Sequence, residues 1–172
     1  MHFDLPIEQL VRRRDTRFQL GFANEAREVL TPSEEFRLAP SNKGLRVLGR
    51  NEDALSMPVE LLREMYGVRL QVQPPEVRLM EGVQVKQPIM HVRISTEKRF
   101  LGAVKRALLE RGALPVEEYV HNNVCVLRYE TPLAHLLGLP AELALICGEQ
   151  VERRITLSHY ALVTGDPGGR AA

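Results

Sequence analysis

From Pro88 to Thr96 apolar and polar positions alternate, with Met90, Val92 and Ile94 on one face and His91 and Arg93 on the other. A period of two describes a strand buried on one side. The period then lengthens over TEKRFLGAVKRALLERG. At ~100° per residue, Phe100, Val104, Ala107 and Leu108 share one helical face, and Lys98, Arg99, Gly102, Lys105 and Arg106 share the opposite one. Gly112 supplies a stop. Two strands follow, PVEEYVH and VCVLRYE, joined through His121, Asn122 and Asn123, whose asparagines tolerate the left-handed conformations of a tight hairpin. Thr131 is expected to cap a helix with Pro132 in its first turn, running to about Ile146 and broken near Gly138 and Pro140. RRITLSHY is the last strand and TGDPGGRAA a loose tail. The order is β-α-β-β-α-β.

The first half repeats that order less clearly. Phe3 to about Ile7 reads as a short strand, although Pro6 could equally start a helix. Val11, Phe18, Phe22, Ala26 and Val29 keep helical spacing, so most of residues 9–30 are expected to be helix. EEFRLAP and GLRVLG flank a hairpin signal at Ser41, Asn42, Lys43 and Gly44, MPVELLREMYG reads as a helix, and VRLQVQ as a strand. Two successive units of this order predict an α+β protein with two tandem ferredoxin-like domains, each an antiparallel four-stranded sheet with two helices on one face. The expected divisions are a first domain at 1–78, a Pro-flanked linker at 79–87, a second domain at 88–163 and a tail at 164–172.

Composition narrows the class. Apolar residues make up 44% and charged residues 26% of the 172, the profile of a globular chain. No apolar run approaches the ~18 residues of a membrane span. The amino end lacks the basic and apolar regions of a secretory signal, which points to the cytoplasm. Cys125 and Cys147 lie in apolar segments and read as buried free thiols. The net charge of +1 leaves any nucleic-acid claim to local charge.

No motif carries catalysis. A phosphate-cradling G-x-x-x-x-G-K-[ST] loop, a dinucleotide G-x-G-x-x-G, H-E-x-x-H and G-x-S-x-G are all missing from the sequence. His135 and Cys147 are too far apart along one predicted helical segment to act as a nucleophile and its base. His91, His121 and His159 have no recognisable metal-ligand spacing and read as scattered surface histidines. No catalytic residue, cofactor or metal is therefore expected. Lys98, Arg99, Lys105 and Arg106 flank Gly102 on one solvent face, as a phosphate-contacting helix would arrange them, and a merely solvated face explains them as well. Arg12, Arg13, Arg14 and Arg17, expected at the opening of the first helix, read as a solvated face. Aromatics are scarce at strand centres, which argues against binding single-stranded RNA by stacking.

The segments QPIMHVRISTEKRFLGAVKRALLERGAL, YETPLAHLLGLPAELALICG and LSHY together resemble domain V, the C-terminal domain of elongation factor G and its relatives among the translational GTPases. The resemblance rests on Pro88-Ile89-Met90 in the opening strand, Phe100 to Val104 around Gly102, Arg111-Gly112 at the helix end, Pro132-Leu133, the later Gly148, and His159-Tyr160. The stretch from Glu34 to Val77 resembles domain III of the same family more weakly. It departs at Gly49-Arg50-Asn51-Glu52-Asp53, where the family carries Gly-Met-Gly-Glu-Leu-His, and this puts the packing of domain III against its neighbours in question. Glu149 is a second departure.

The resemblance implies domains III and V without the GTPase, β-barrel or tRNA-mimicking domain. A chain beginning at Met1 in this way is either a stand-alone paralogue or a piece of a larger GTPase, and the divergent loop and N-terminus favour the former. The implied function is a non-catalytic protein that binds the large ribosomal subunit near its stalk base, touching RNA and protein through Lys98, Arg99, Gly102, Lys105 and Arg106. The alternative is a protein-interaction or regulatory module that kept the fold and has no ribosomal role. Neither membrane nor DNA is an expected partner.

Overall fold

The computed structural model describes residues 4–148 and 151–163. The expected tail at 164–172, Glu149, and the Phe3 end of the first predicted strand lie outside the described residues. The first unit comprises β1 (Ile7–Arg13), α1 (Gln19–Val29), β2 (Phe36–Ser41), β3 (Gly44–Gly49), α2 (Glu52–Tyr66) and β4 (Leu70–Val72). Its antiparallel sheet runs β2-β3-β1-β4. A further short strand, β5 (Glu76–Val77), pairs with the start of β1. Because β3 occupies the other edge of β1 over Ile7–Val11, β5 and β4 follow one another along the same edge.

The second unit comprises β6 (Lys86–Glu97), α3 (Leu101–Glu110), β7 (Leu114–His121), β8 (Val124–Pro132), α4 (Leu139–Cys147) and β9 (Glu152–Leu162). Its four strands run β7-β8-β6-β9, all antiparallel. Both units are ferredoxin-like, as the element order predicts.

Each sheet buries one face. In the first unit Ile7, Val11, Leu45 and Val47 meet Phe22, Ala23 and Ala26 of α1 and Leu55, Val59 and Leu62 of α2. Phe22 and Tyr66 pack edge to face with centroids 5.1 Å apart. In the second, Met90, Val92, Ile94, Leu127 and Tyr129 meet Val104 and Leu108 of α3 and Leu139 and Leu143 of α4. Burial raises the pKa of the Tyr66 and Tyr129 phenols.

Three local expectations are corrected. The strand β1 occupies Ile7–Arg13 and α1 starts only at Gln19, so the helix does not cover most of 9–30. Val11, a strand residue, and Phe18, which is 83% exposed, fit helical spacing only by coincidence across the polar gap between them. Consequently Arg12 and Arg13 end β1 instead of opening a helix. Arg14 follows, its backbone N–H donating to Arg69 O at 2.8 Å, and Arg13 pairs with Asp15 at 2.6 Å.

Thr131 and Pro132 belong to β8 and cap nothing. A single turn of 3₁₀ helix at Leu133–His135 follows, and Gly138, in the left-handed region at φ 84°, separates it from α4. Pro140 then sits in the first turn of α4, where its missing N–H costs nothing. His135 and Cys147 therefore stand on different elements.

The helix α2 begins at Glu52, six residues before Pro58, because Asn51 caps it. The Asn51 side-chain oxygen accepts from Ala54 N at 2.9 Å, and Glu52 and Asp53 place negative charge at the helix's positive end. This divergent stretch also joins the two units. The Asn51 side-chain amide donates to Ile155 O on the edge of β9 at 2.8 Å, and Glu52 accepts from Gly138 N at 2.9 Å. Arg153 of β9 donates twice to Asp53 at 2.7 and 2.9 Å, which raises the guanidinium pKa. The packing that the departure put in question is thus made by the departing residues themselves.

Candidate nucleic-acid interface

The candidate residues lie on α3 and the single 3₁₀ turn Lys98–Phe100 that leads into it. The turn is set by β6, which ends in extended backbone at Glu97, and by the Lys98 N–H donating to Asn123 O at 2.9 Å. From there the apolar positions Val104, Ala107 and Leu108 dictate which side of α3 faces the sheet. The opposite side is exposed at Gly102 and Arg106, while Lys105 is half-buried. The structure brings Gly102, Lys105 and Arg106 together with Leu101, Leu109 and Glu110 around one shallow depression. Lys98 and Arg99 stand one turn away, at the helix start.

Two of the four cations are held within the chain. The Lys105 ammonium donates to Glu118 of β7 at 2.8 Å, a hydrogen bond that raises its pKa and keeps it charged. Arg99 pairs with Glu97 at 2.9 Å, and its guanidinium lies 4.5 Å from the centroid of the Phe100 ring. The side chains of Lys98 and Arg106 have no hydrogen-bond or ion-pair partner among the described residues.

The electrostatics of the helix start are informative. Helix N-termini carry partial positive charge and favour anions, so cations there are disfavoured. The first turn of α3 holds no acidic residue, but the 3₁₀ turn runs directly into it, with the Leu101 N–H donating to Lys98 O and the acid Glu97 standing before the turn. Lys98 and Arg99 add positive charge in that turn, and Glu97 offsets the charge of Arg99. Gly102 has no atom within 4 Å of where a Cβ would stand, so nothing in the fold requires a glycine there. Its bare backbone leaves room for a close approach from outside.

Arg111 fixes the far end of α3. It donates to Glu142 of α4 at 3.0 and 2.7 Å and to the carbonyls of His135 and Leu137 at 3.0 and 2.9 Å. The neighbouring Gly112 has φ 71°, a left-handed conformation that terminates the helix. The Arg-Gly helix end noted in the sequence thus ties α3 to the turn after β8 and to α4.

These features sit inside a segment with a family match. Residues 84–170 match the model of the elongation factor G C-terminus, half of the chain. The chain belongs to the elongation factor G C-terminus family. The match takes in every element from β6 to β9, so the candidate surface of this elongation factor G C-terminal unit lies wholly within it. A crystal structure of a protein from Thermus thermophilus is similar over 92% of the chain, with a TM-score of 0.65 and 14% identity. At that identity the likeness establishes the fold, including the first unit. The chain covers 41% of the length of that structure. No curated protein matches the sequence.

Among the described residues no helix is long and apolar enough to cross a membrane, and no group of three or more His, Cys, Asp or Glu is placed to hold a metal ion. The sequence marks Asn51, Glu52 and Asp53 as a departure that bears on packing, without placing them at a helix start or in contacts across the junction. An Asn followed by two acids before an apolar period is a helix-start signal that could have found them.

Proposed function

We propose that the protein is a non-catalytic, translation-factor-like protein that docks on the large ribosomal subunit near the stalk base through its second unit. In this reading residues 1–78 are a domain III-like unit, 79–87 a linker and 88–163 a domain V-like unit, and the protein works in the cytoplasm. Lys98, Arg99, Lys105 and Arg106 neutralise RNA phosphates while Gly102 lets the backbone come close. The observation that carries the proposal is the exposed pair Lys98 and Arg106, whose side chains have no partner among the described residues and which flank the open backbone of Gly102. Phosphate oxygens would supply the counter-charge that those two side chains lack. Such a protein would modulate, compete with or protect against a GTP-driven factor.

A second reading, a protein-interaction module without a ribosomal role, is favoured by one observation. The edge strand β7 is exposed throughout, with Leu114, Val116 and Val120 at 69%, 64% and 44%. Unpaired apolar edges can add a partner's strand.

Pelleting the purified protein with 50S subunits across a salt series tests the first reading. Four phosphate contacts predict that affinity falls about a hundredfold between 50 and 200 mM salt. Absence of binding at the lowest salt would overturn it and favour the second.

A further inference from the structure

The face of the second sheet turned away from α3 and α4 carries a row of arginines. Arg128 on β8 stands directly across from Arg93 on β6, and Arg93 directly across from Arg154 on β9. All three are exposed. Adjacent strands lie about 4.8 Å apart, so the row spans roughly 10 Å. Like charges directly opposite one another destabilise a sheet.

Glu97, Glu117, Glu130 and Glu152 share the face and Asp53 lines its β9 end, but none of these carboxylates pairs with Arg93 or Arg154. Glu117 approaches Arg128 at 3.6 Å, and Glu130 approaches His91, the neighbour of Arg93 on that face, also at 3.6 Å. Glu152 borders the depression that Arg93 and Arg154 share. The side chains of Arg93 and Arg154 have no hydrogen-bond or ion-pair partner among the described residues. A second depression joins the three arginines to His91, Thr156 and Val116.

We infer that this sheet face is a binding site for the phosphate backbone of double-stranded RNA, separate from the α3 surface. Guanidinium forks match phosphate oxygens, and three in register present donors along one line. The central positions of β6 and β8 hold Arg93 and Arg128 where a reader of single strands would hold stacking aromatics. Ser95 and Thr156 place hydroxyls on the same face, suited to the 2′-hydroxyls by which RNA differs from DNA. Apolar side chains such as Val116 and Val126 are confined to the β7–β8 side, whereas a protein interface would need them at its centre. The face lies opposite the helices, so one unit could touch RNA on two sides.

The test is fluorescence anisotropy of the full chain with a labelled 16-base-pair RNA duplex. Parallel titrations use a DNA duplex of the same length, poly(U) and polyglutamate. Arg93→Gln with Arg154→Gln is expected to weaken duplex RNA binding about tenfold or more at 100 mM salt and to lower the salt slope by about 2, whereas the double lysine variant keeps the slope. Lys105→Glu with Arg106→Glu is expected to leave part of the free-duplex binding in place, so failure here and failure on the ribosome are distinguishable. Arg93→Gln alone should raise the Tm by about 1–3 °C, because it removes repulsion. An unchanged slope in the glutamine variant, tighter binding of DNA, poly(U) or polyglutamate than of duplex RNA, or a lowered Tm for Arg93→Gln would each overturn the inference.

Discussion

Arg153 on β9 and Asp53 in the first turn of α2 form a two-point ion pair, Nη2 to Oδ1 at 2.7 Å and Nε to Oδ2 at 2.9 Å. The pair crosses from one ferredoxin-like unit to the other, beside the Asn51 bond to Ile155 O and the Glu52 bond from Gly138 N. Three successive residues at the start of α2 therefore hold the junction. A double-mutant cycle of Asp53→Ala and Arg153→Ala, followed by urea unfolding, should give a coupling of about 1 kcal/mol, the screened value for a partly exposed bidentate pair. A coupling of zero would mean that the junction is held by other contacts.

Glu118 competes with any phosphate for Lys105. Replacing it by Gln should tighten RNA binding about two- to threefold, because one cation is released to the ligand. The same pair has a pH signature. Hydrogen bonding to Glu118 raises the Lys105 pKa, so its contribution to stability is fully present below the unfolded lysine value and is lost as pH rises through the folded one. The Tm difference between wild type and Glu118→Gln should accordingly be constant up to mildly alkaline pH and vanish above the lysine range. A difference that instead disappears on acidification through neutrality would assign it to another group.

Gly138 has φ 84° and gives its N–H to Glu52. Gly138→Ala should destabilise the protein by about 1–2 kcal/mol through the left-handed backbone alone, since an added Cβ would meet only ordinary contacts. Arg111→Met strands Glu142 and two carbonyls, and a loss of about 2 kcal/mol is expected. Chemical denaturation monitored by circular dichroism checks both.

The second unit was legible because each of its elements carries a clean period. Met90, Val92 and Ile94 alternate, and Val104, Ala107 and Leu108 keep helical spacing, and all six are buried. The first helix was misplaced because a strand residue, Val11, and an exposed one, Phe18, happen to fit helical spacing with the true core residues Phe22 and Ala26. Thr131-Pro132 mimicked a helix start because the strand runs two residues longer than its alternation suggests. The candidate site was half legible. Sequence placed Lys98, Arg99, Gly102, Lys105 and Arg106 on one solvent face, but the pairing of Lys105 with Glu118 depends on strand β7 lying beside α3. The arginine row depends on the register of three separate strands, which no local pattern encodes.

Co-sedimentation of the Lys105→Glu, Arg106→Glu variant with 50S subunits, beside wild type at matched salt, bears most directly on the proposed docking surface. Wild type should pellet with the subunits at 50 mM salt, and the variant should lose at least tenfold in affinity while circular dichroism shows it folded, its unfolding midpoint lowered by only a few degrees as Lys105→Glu sets a carboxylate against Glu118. Equal pelleting of the two proteins, or failure of wild type to pellet at all, would contradict the account.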